Sequence, residues 1–356
     1  MPRLTRRHLL ATAGIAALAG CSSPNSGNEA QLSGPLSLPT ADAQLPLPTT
    51  ADALTDEARS GGPSKDGIPS IDDPQFIDAA GVDFLAPGDP VFGVARDGVT
   101  KAYPQKILVS HEIVNDDLGG TPVAVTYCPL TGTVQGFERG NTEFGVSGRL
   151  INANLVMYDR TTETWWPQIL ATSIPGPWNQ NPKIRSLQEF RLIWTTWEQW
   201  QGQHPDTQVL STDTGHASNY GRDPYGSYNP RGGYYESENM LFPGRTDDDR
   251  FHPKRVVMGA RTAAGAVAFP KDALLNQRVL TGKLDDTPVV AVADDRYDTG
   301  YVYLNPNEQT VGNEDGAITI GGETHAPDAL PLERIHTFDA MWFAWVGYYP
   351  ETNVYE

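Results

Sequence analysis

The chain has 356 residues, with 44 acidic against 26 basic side chains and a net charge of −18. That balance argues against nucleic acid as a partner, because phosphate binding needs a basic patch. An apolar fraction of 39% with eight tryptophans is enough to build a core, while only two cysteines leave little scope for disulfides.

The bases are 19 Arg and only 7 Lys, so the surface reads as acidic, lysine-poor and suited to high salt, the habit of a halophilic source. At the start of the chain, Arg6-Arg7 precedes an apolar run from Leu9 to Ala19. This has the form of a twin-arginine export signal, and at about 11 residues the run is too short for a span of about 20. The run closes on Leu18-Ala19-Gly20-Cys21. Small residues leading into a cysteine predict that residues 1–20 are a signal peptide and that Cys21 carries a lipid. The expected location is therefore the extracellular face of the cell membrane, with the membrane itself as partner through that lipid. Residues 21–65 are rich in Ser, Pro, Ala, Thr, Asn and Gly and read as a flexible tether. A single β-rich domain is expected over 66–356.

Within it, short β-like runs are split by Gly, Pro and Asp turns: Val91–Ala95, Val99–Tyr103, Thr121–Tyr127, Asn154–Tyr158, Val256–Ala260, Val289–Val292 and Tyr301–Leu304. Helical signals are few. Thr195-Thr196-Trp197-Glu198 predicts a capping box opening a short helix, and short helices are expected after Pro104 and Pro270. Residues 91–125 align with 257–291 at a constant offset of 166, with nine identities in 35 positions, among them Gly93/Gly259, Pro104/Pro270 and Pro122/Pro288. The fold class expected is thus α+β and β-rich. It contains an internally duplicated hairpin–short helix–hairpin unit, at 91–140 and 257–306, with an aromatic-rich segment inserted between the copies.

The copies agree at backbone-shaping positions and differ at polar ones: His111 aligns with Gln277, Glu112 with Arg278, Asn115 with Thr281 and Cys128 with Asp294. The first copy holds the rarer, more reactive set. Gly119-Gly120 suits a two-residue hairpin turn, since both central positions need positive φ. Such a turn places Leu118 opposite Thr121, Glu112 opposite Tyr127 and His111 opposite Cys128. Opposed residues have Cα atoms about 4.5–5.5 Å apart. The expected catalytic group is Cys128 as nucleophile, His111 as its base, and Glu112 or Asn115 orienting the imidazole, for acyl-transfer or hydrolytic chemistry. Backbone amides near Leu130–Gly132 are candidate oxyanion donors.

The motifs His111-Glu112-Ile113-Val114-Asn115-Asp116, Thr126-Tyr127-Cys128-Pro129-Leu130-Thr131-Gly132-Thr133, Phe144-Gly145-Val146-Ser147-Gly148-Arg149-Leu150 and Met157-Tyr158-Asp159-Arg160 follow in that order. Together with Trp166 and Gln168 they resemble a family of exported bacterial and haloarchaeal proteins catalogued only as a domain of unknown function. The resemblance runs from Asp66 to Tyr355 and implies no established activity. It implies a second cysteine in some members where this chain has Thr131, so a dithiol cycle within the motif is not expected here.

Ser147, Arg149, Asp159, Arg160 and Gln168 are candidate ligand-binding residues, Arg being suited to a carboxylate or phosphate; the plainer reading of Asp159-Arg160 is a local ion pair. Two further functions compete with catalysis. No cofactor is certain, but copper or zinc held by His111, Cys128 and Met157, with His216 or His252 completing the set, is one alternative. The other is a surface module for a sugar, a peptide or a small molecule. It rests on the five tyrosines between His216 and Glu236, a composition suited to stacking on ligands.

Overall fold

The computed structural model describes residues 38–314 and 317–356. The signal sequence and Cys21 lie outside the described residues. Strands dominate, and no helix among the described residues exceeds seven residues. Helices this short are not stable alone, so each depends on the apolar face it buries. None is long and apolar enough to cross a membrane.

Antiparallel hairpins build the frame. The strand Pro90–Arg96 pairs with Val99–Pro104, a four-residue helix Gln105–Leu108 follows, and Ile113–Leu118 then pairs with Thr121–Cys128, which pairs with Thr133–Glu138. Further along, Val256–Thr262 pairs with Gly265–Pro270, the helix Lys271–Gln277 follows, and Val279–Leu284, Thr287–Asp294 and Thr299–Leu304 form a second meander. The Gly119-Gly120 turn has φ of 62° and 93°, as the glycine pair predicts, and fixes Leu118 opposite Thr121.

Each frame is completed by a strand, a helix and a closing strand. Ile193–Thr196 pairs with Pro90–Arg96, the helix Trp197–Gln203 follows, and Gln208–Leu210 lies parallel to Val99–Pro104. In the second frame Thr337–Met341, the helix Trp342–Tyr348 and Asn353–Val354 take the corresponding places. The middle segment is therefore not all insertion, since residues 193–210 complete the first sheet. The helix at 197 has a capping box one residue later than expected, from Thr196 to Gln199.

Two tryptophans lock these frames. Trp200 donates its indole N–H to Thr207 at 3.0 Å, and Trp345 donates to Thr352 at 3.1 Å. Each ring lies on a glycine: a Cβ at Gly93 would meet Trp200 at 2.2 Å, and one at Gly259 would meet Trp345 at 2.1 Å. Glycine is required at both positions because the indole occupies the space of any side chain.

The tether expectation needs correcting at its C-terminal end. Residues 51–57 form a helix, Arg59–Ser60 pairs with the strand Phe144–Ile151, and Thr40 bridges Leu187. Leu38, Leu45 and Leu54 are buried. These isolated leucines, in a polar stretch without periodicity, anchor the segment to the domain.

Candidate functional site

Cys128 ends its strand as Pro129 predicts. The chain turns through residues 129–132, with Thr131 N–H donating to the Cys128 carbonyl at 3.3 Å and Gly132 at φ 55°, and re-enters the sheet with Thr133 opposite Cys128. The thiol is free and 1% exposed, 3.8 Å from the Ala153 carbonyl, and it packs in a cluster with Leu130, Leu155, Met157 and Trp166. Burial pushes its pKa up to about 11, the nearby Glu112 carboxyl adds to the rise, and hydrogen bonds from Thr131 and Leu155 offset part of it. At neutral pH it is a thiol.

The predicted His111–Cys128 pairing does not form. The regular ladder runs only as far as Ile113 opposite Thr126, and the Tyr127 N–H still reaches the Glu112 carbonyl at 2.7 Å. Glu112 itself takes φ 59°, a left-handed conformation that turns the chain out of the strand. His111 is buried with both ring nitrogens engaged: Nδ1 is 2.8 Å from the Pro69 carbonyl and Nε2 is 2.6 Å from the Tyr220 hydroxyl. Burial first, with the Pro69 contact opposing and His216 assisting, lowers its pKa. No ring nitrogen is left to serve the thiol.

Glu112 takes the place expected of His111. It is 7% exposed, and burial alone raises its carboxyl pKa to about 8, with no hydrogen bond or ion pair contributing. A buried carboxyl without a partner stays protonated until the solution is mildly alkaline. Glu112 and Cys128 are close enough that the charge of one raises the pKa of the other, so the site resists holding two negative charges.

Most of the remaining candidates are held in local hydrogen-bond networks. Asn115 exchanges both its amide bonds with the Phe144 backbone at 2.9 Å, tying two strands together rather than orienting His111. Ser147 sits in a β-bulge and donates to the Val156 carbonyl at 2.5 Å, and Arg149 faces solvent. Asp159 caps its own turn by accepting from Thr162 N–H at 2.6 Å and from Trp166 Nε1 at 3.0 Å. Arg160 bonds not to Asp159 but to Asp72 at 2.6 Å and Glu143 at 3.0 Å. Gln168 accepts from Asn154 at 2.8 Å and donates to Thr126 Oγ1 at 3.0 Å in a buried network. Met157 is fully buried beside the thiol's cluster, but His111 does not join it. Among the described residues no three His, Cys, Asp or Glu side chains are grouped to hold a metal.

Sequence reasoning missed the cover. The tyrosine-rich segment folds back as a hairpin, Gly226–Tyr228 against Arg231–Gly233, and Tyr225 and Tyr234 pack on the cluster that contains Cys128. Tyr234 donates to the Leu130 carbonyl at 2.8 Å, and Tyr235, fully buried, donates to Asp223 at 2.8 Å. Lys254 lies over the Tyr234 ring, 3.4 Å from its centroid, and donates to the Asn239 carbonyl at 2.7 Å. The tyrosines are thus not an exposed stacking platform. Their composition was legible, but the direction they face was not.

A family model described as "Protein of unknown function (DUF3179)" matches residues 65–352. No curated protein and no solved structure matches the chain.

Proposed function

The chain belongs to the DUF3179 family of proteins of unknown function, and from that premise we propose that Cys128 and Glu112 form a thiol-based catalytic centre under a tyrosine cover. Above the Glu112 pKa of about 8, Cys128 Sγ attacks an electrophilic acyl carbon as its proton passes to the ionised Glu112 carboxylate. The bond to the leaving group breaks, that group departs with the proton from Glu112, and water or another acceptor then cleaves the acyl-cysteine. Glu112 replaces His111 as the base. The reading rests on one observation: a buried carboxyl with no ion pair beside a buried free thiol, an arrangement that costs stability. The Thr131 hydroxyl supports the thiol where some relatives are expected to carry a second cysteine.

We also read the two frames as copies of one unit, decorated for chemistry only in the first. Support comes from their matched registers and their matched Trp–Thr bonds. The residues around the tyrosine hairpin are then the inserted segment. The twin-arginine run and Cys21 support export and a lipid anchor on the extracellular face, and the acidic, lysine-poor composition supports a halophilic setting.

The test is alkylation of Cys128 in the folded protein across pH. The expected rate is slow at pH 7 and climbs through the Glu112 pKa of about 8. The Glu112→Gln variant loses that rise. Tyr234→Phe, which frees the Leu130 carbonyl, speeds labelling at every pH. A rate that is the same in wild type and Glu112→Gln at every pH removes Glu112 from the chemistry. Labelling that requires global unfolding in all three proteins makes Cys128 a core residue.

A further inference from the structure

Away from Cys128, a cleft of about 410 Å³ opens where residues 94–96, Glu138 and 188–191 meet Tyr301 and residues 334–337. We propose that this cleft binds a small oxyanion, the carboxylate or phosphate group of a solute, between Arg191 and Arg334.

Charge in this cleft is not balanced. Two of the cationic groups here are neutralised: Arg96 bonds to Glu138 at 2.5 Å, and the buried Arg261 bonds to Glu189 at 2.9 Å. Two are not. Among the described residues, Arg191 donates only to neutral acceptors, the Thr299 hydroxyl at 2.9 Å and the carbonyls of Gly300 and Thr337, and its Nε has no partner there. Among the same residues, Arg334 donates only to the Asp328 carbonyl at 3.2 Å. Their guanidinium carbons lie 5.5 and 5.7 Å from the centre of the same ring, Tyr301. His336, on the cleft wall, has Nε2 3.4 Å from Glu189 and no hydrogen bond.

In a protein of net charge −18, two guanidiniums on one cleft with no ion pair of their own, where Glu138 and Glu189 are already paired with Arg96 and Arg261, are out of keeping with the rest of the surface. A desolvated guanidinium without a counter-charge is costly. Carboxylate and phosphate oxygens match its planar fork. Burial lowers the Arg191 pKa and Arg334 assists, with Tyr301, Asp339 and Tyr303 opposing without cancelling the fall. The pKa of His336 falls to about 4, first from burial, with Glu189 opposing and Arg261, Arg191 and Arg334 assisting, so the imidazole is neutral and adds no charge of its own.

The experiment is calorimetric titration of the folded chain with inorganic phosphate and, separately, with succinate, in Hepes buffer. Saturable binding of at least one probe at millimolar concentration is expected, and the stronger probe tells phosphate from carboxylate. Arg334→Gln, at an exposed position, should weaken binding by about tenfold or more, as loss of a charge-assisted contact does. Arg334→Glu, which supplies its own counter-charge, should abolish it. Arg222→Gln, at an exposed arginine elsewhere, should leave it unchanged. The NMR-detected pKa of His336 should rise when the probe binds, since an anion favours imidazolium. No saturable binding of either probe, or equal affinity in wild type and Arg334→Glu, overturns the proposal.

Discussion

Glu112 and Cys128 in the first meander correspond to Arg278 and Asp294 in the second, and the two neighbourhoods treat their polar groups in opposite ways. Both Glu112 and Arg278 take positive φ, at 59° and 74°, so the left-handed turn belongs to the hairpin architecture and is not itself a mark of function. Cys128 faces Thr133 across its ladder as Asp294 faces Thr299. The contents differ. Asp294, 1% exposed, bonds to Arg296 at 2.7 Å, and Arg296 reaches on to Asp328 at 2.8 Å. Arg278 bonds to Asp295. In the second meander every charge at these places has a partner. In the first, a carboxyl and a thiol are buried side by side with no ion pair. The same backbone holds salt bridges in one half and an uncompensated acid in the other, and the uncompensated half is the one to examine for chemistry.

The comparison can be broken at its frame first. Trp200→Ala and Trp345→Ala should each cost about 3–5 kcal/mol, the usual loss for a fully buried indole. Equal losses in thermal or denaturant unfolding support equivalent frames, and a loss confined to one frame dissolves the correspondence. Next comes the pair at the strand ends. Asp294→Ala should destabilise by about 1–3 kcal/mol, because Arg296 loses a buried charged acceptor. Cys128→Ala should cost about 1 kcal/mol, the transfer and cavity terms of one small group. A larger cost at Cys128 than at Asp294 means that the thiol is held for packing.

The subtlest effect is that of pH. The Glu112 pKa is about 8 in the folded chain, above the ordinary carboxylate range. The stability associated with its protonated form is fully present below the unfolded pKa of about 4.3 and is lost as pH rises through the folded value. Glu112→Gln should therefore be more stable than wild type at pH 9 by more than ~1 kcal/mol and no more stable at pH 4. Unfolding curves with the same difference at both pH values would show that Glu112 has a hydrogen-bond partner.

Much of the fold was legible in the sequence because its signals are local. Gly119-Gly120 needs positive φ at both positions, and that fixed the register of the central hairpin. Pro129 has no N–H to donate, and that ended the Cys128 strand. Candidate residues could be named from the sequence, but which of them meet could not. Counting outward from the glycine turn predicts His111 opposite Cys128, and it fails because Glu112 adopts a left-handed conformation that its side chain does not favour. The buried part of residues 38–65 was missed for a related reason: three leucines without periodicity signal burial only once their neighbours are known.

By itself, then, the sequence determined many of the strands, their turns and the matched segments 166 residues apart. Backbone sterics and side-chain chemistry act within a few residues, and so they can be read along the chain. The tertiary structure decided which side chains meet. It gave His111 to Pro69 and Tyr220, left Glu112 beside the thiol, folded the tyrosines inward as a cover and lined one cleft with both Arg191 and Arg334. Proton affinity and charge compensation depend on burial and on partners distant in the chain, and only the folded chain supplies these.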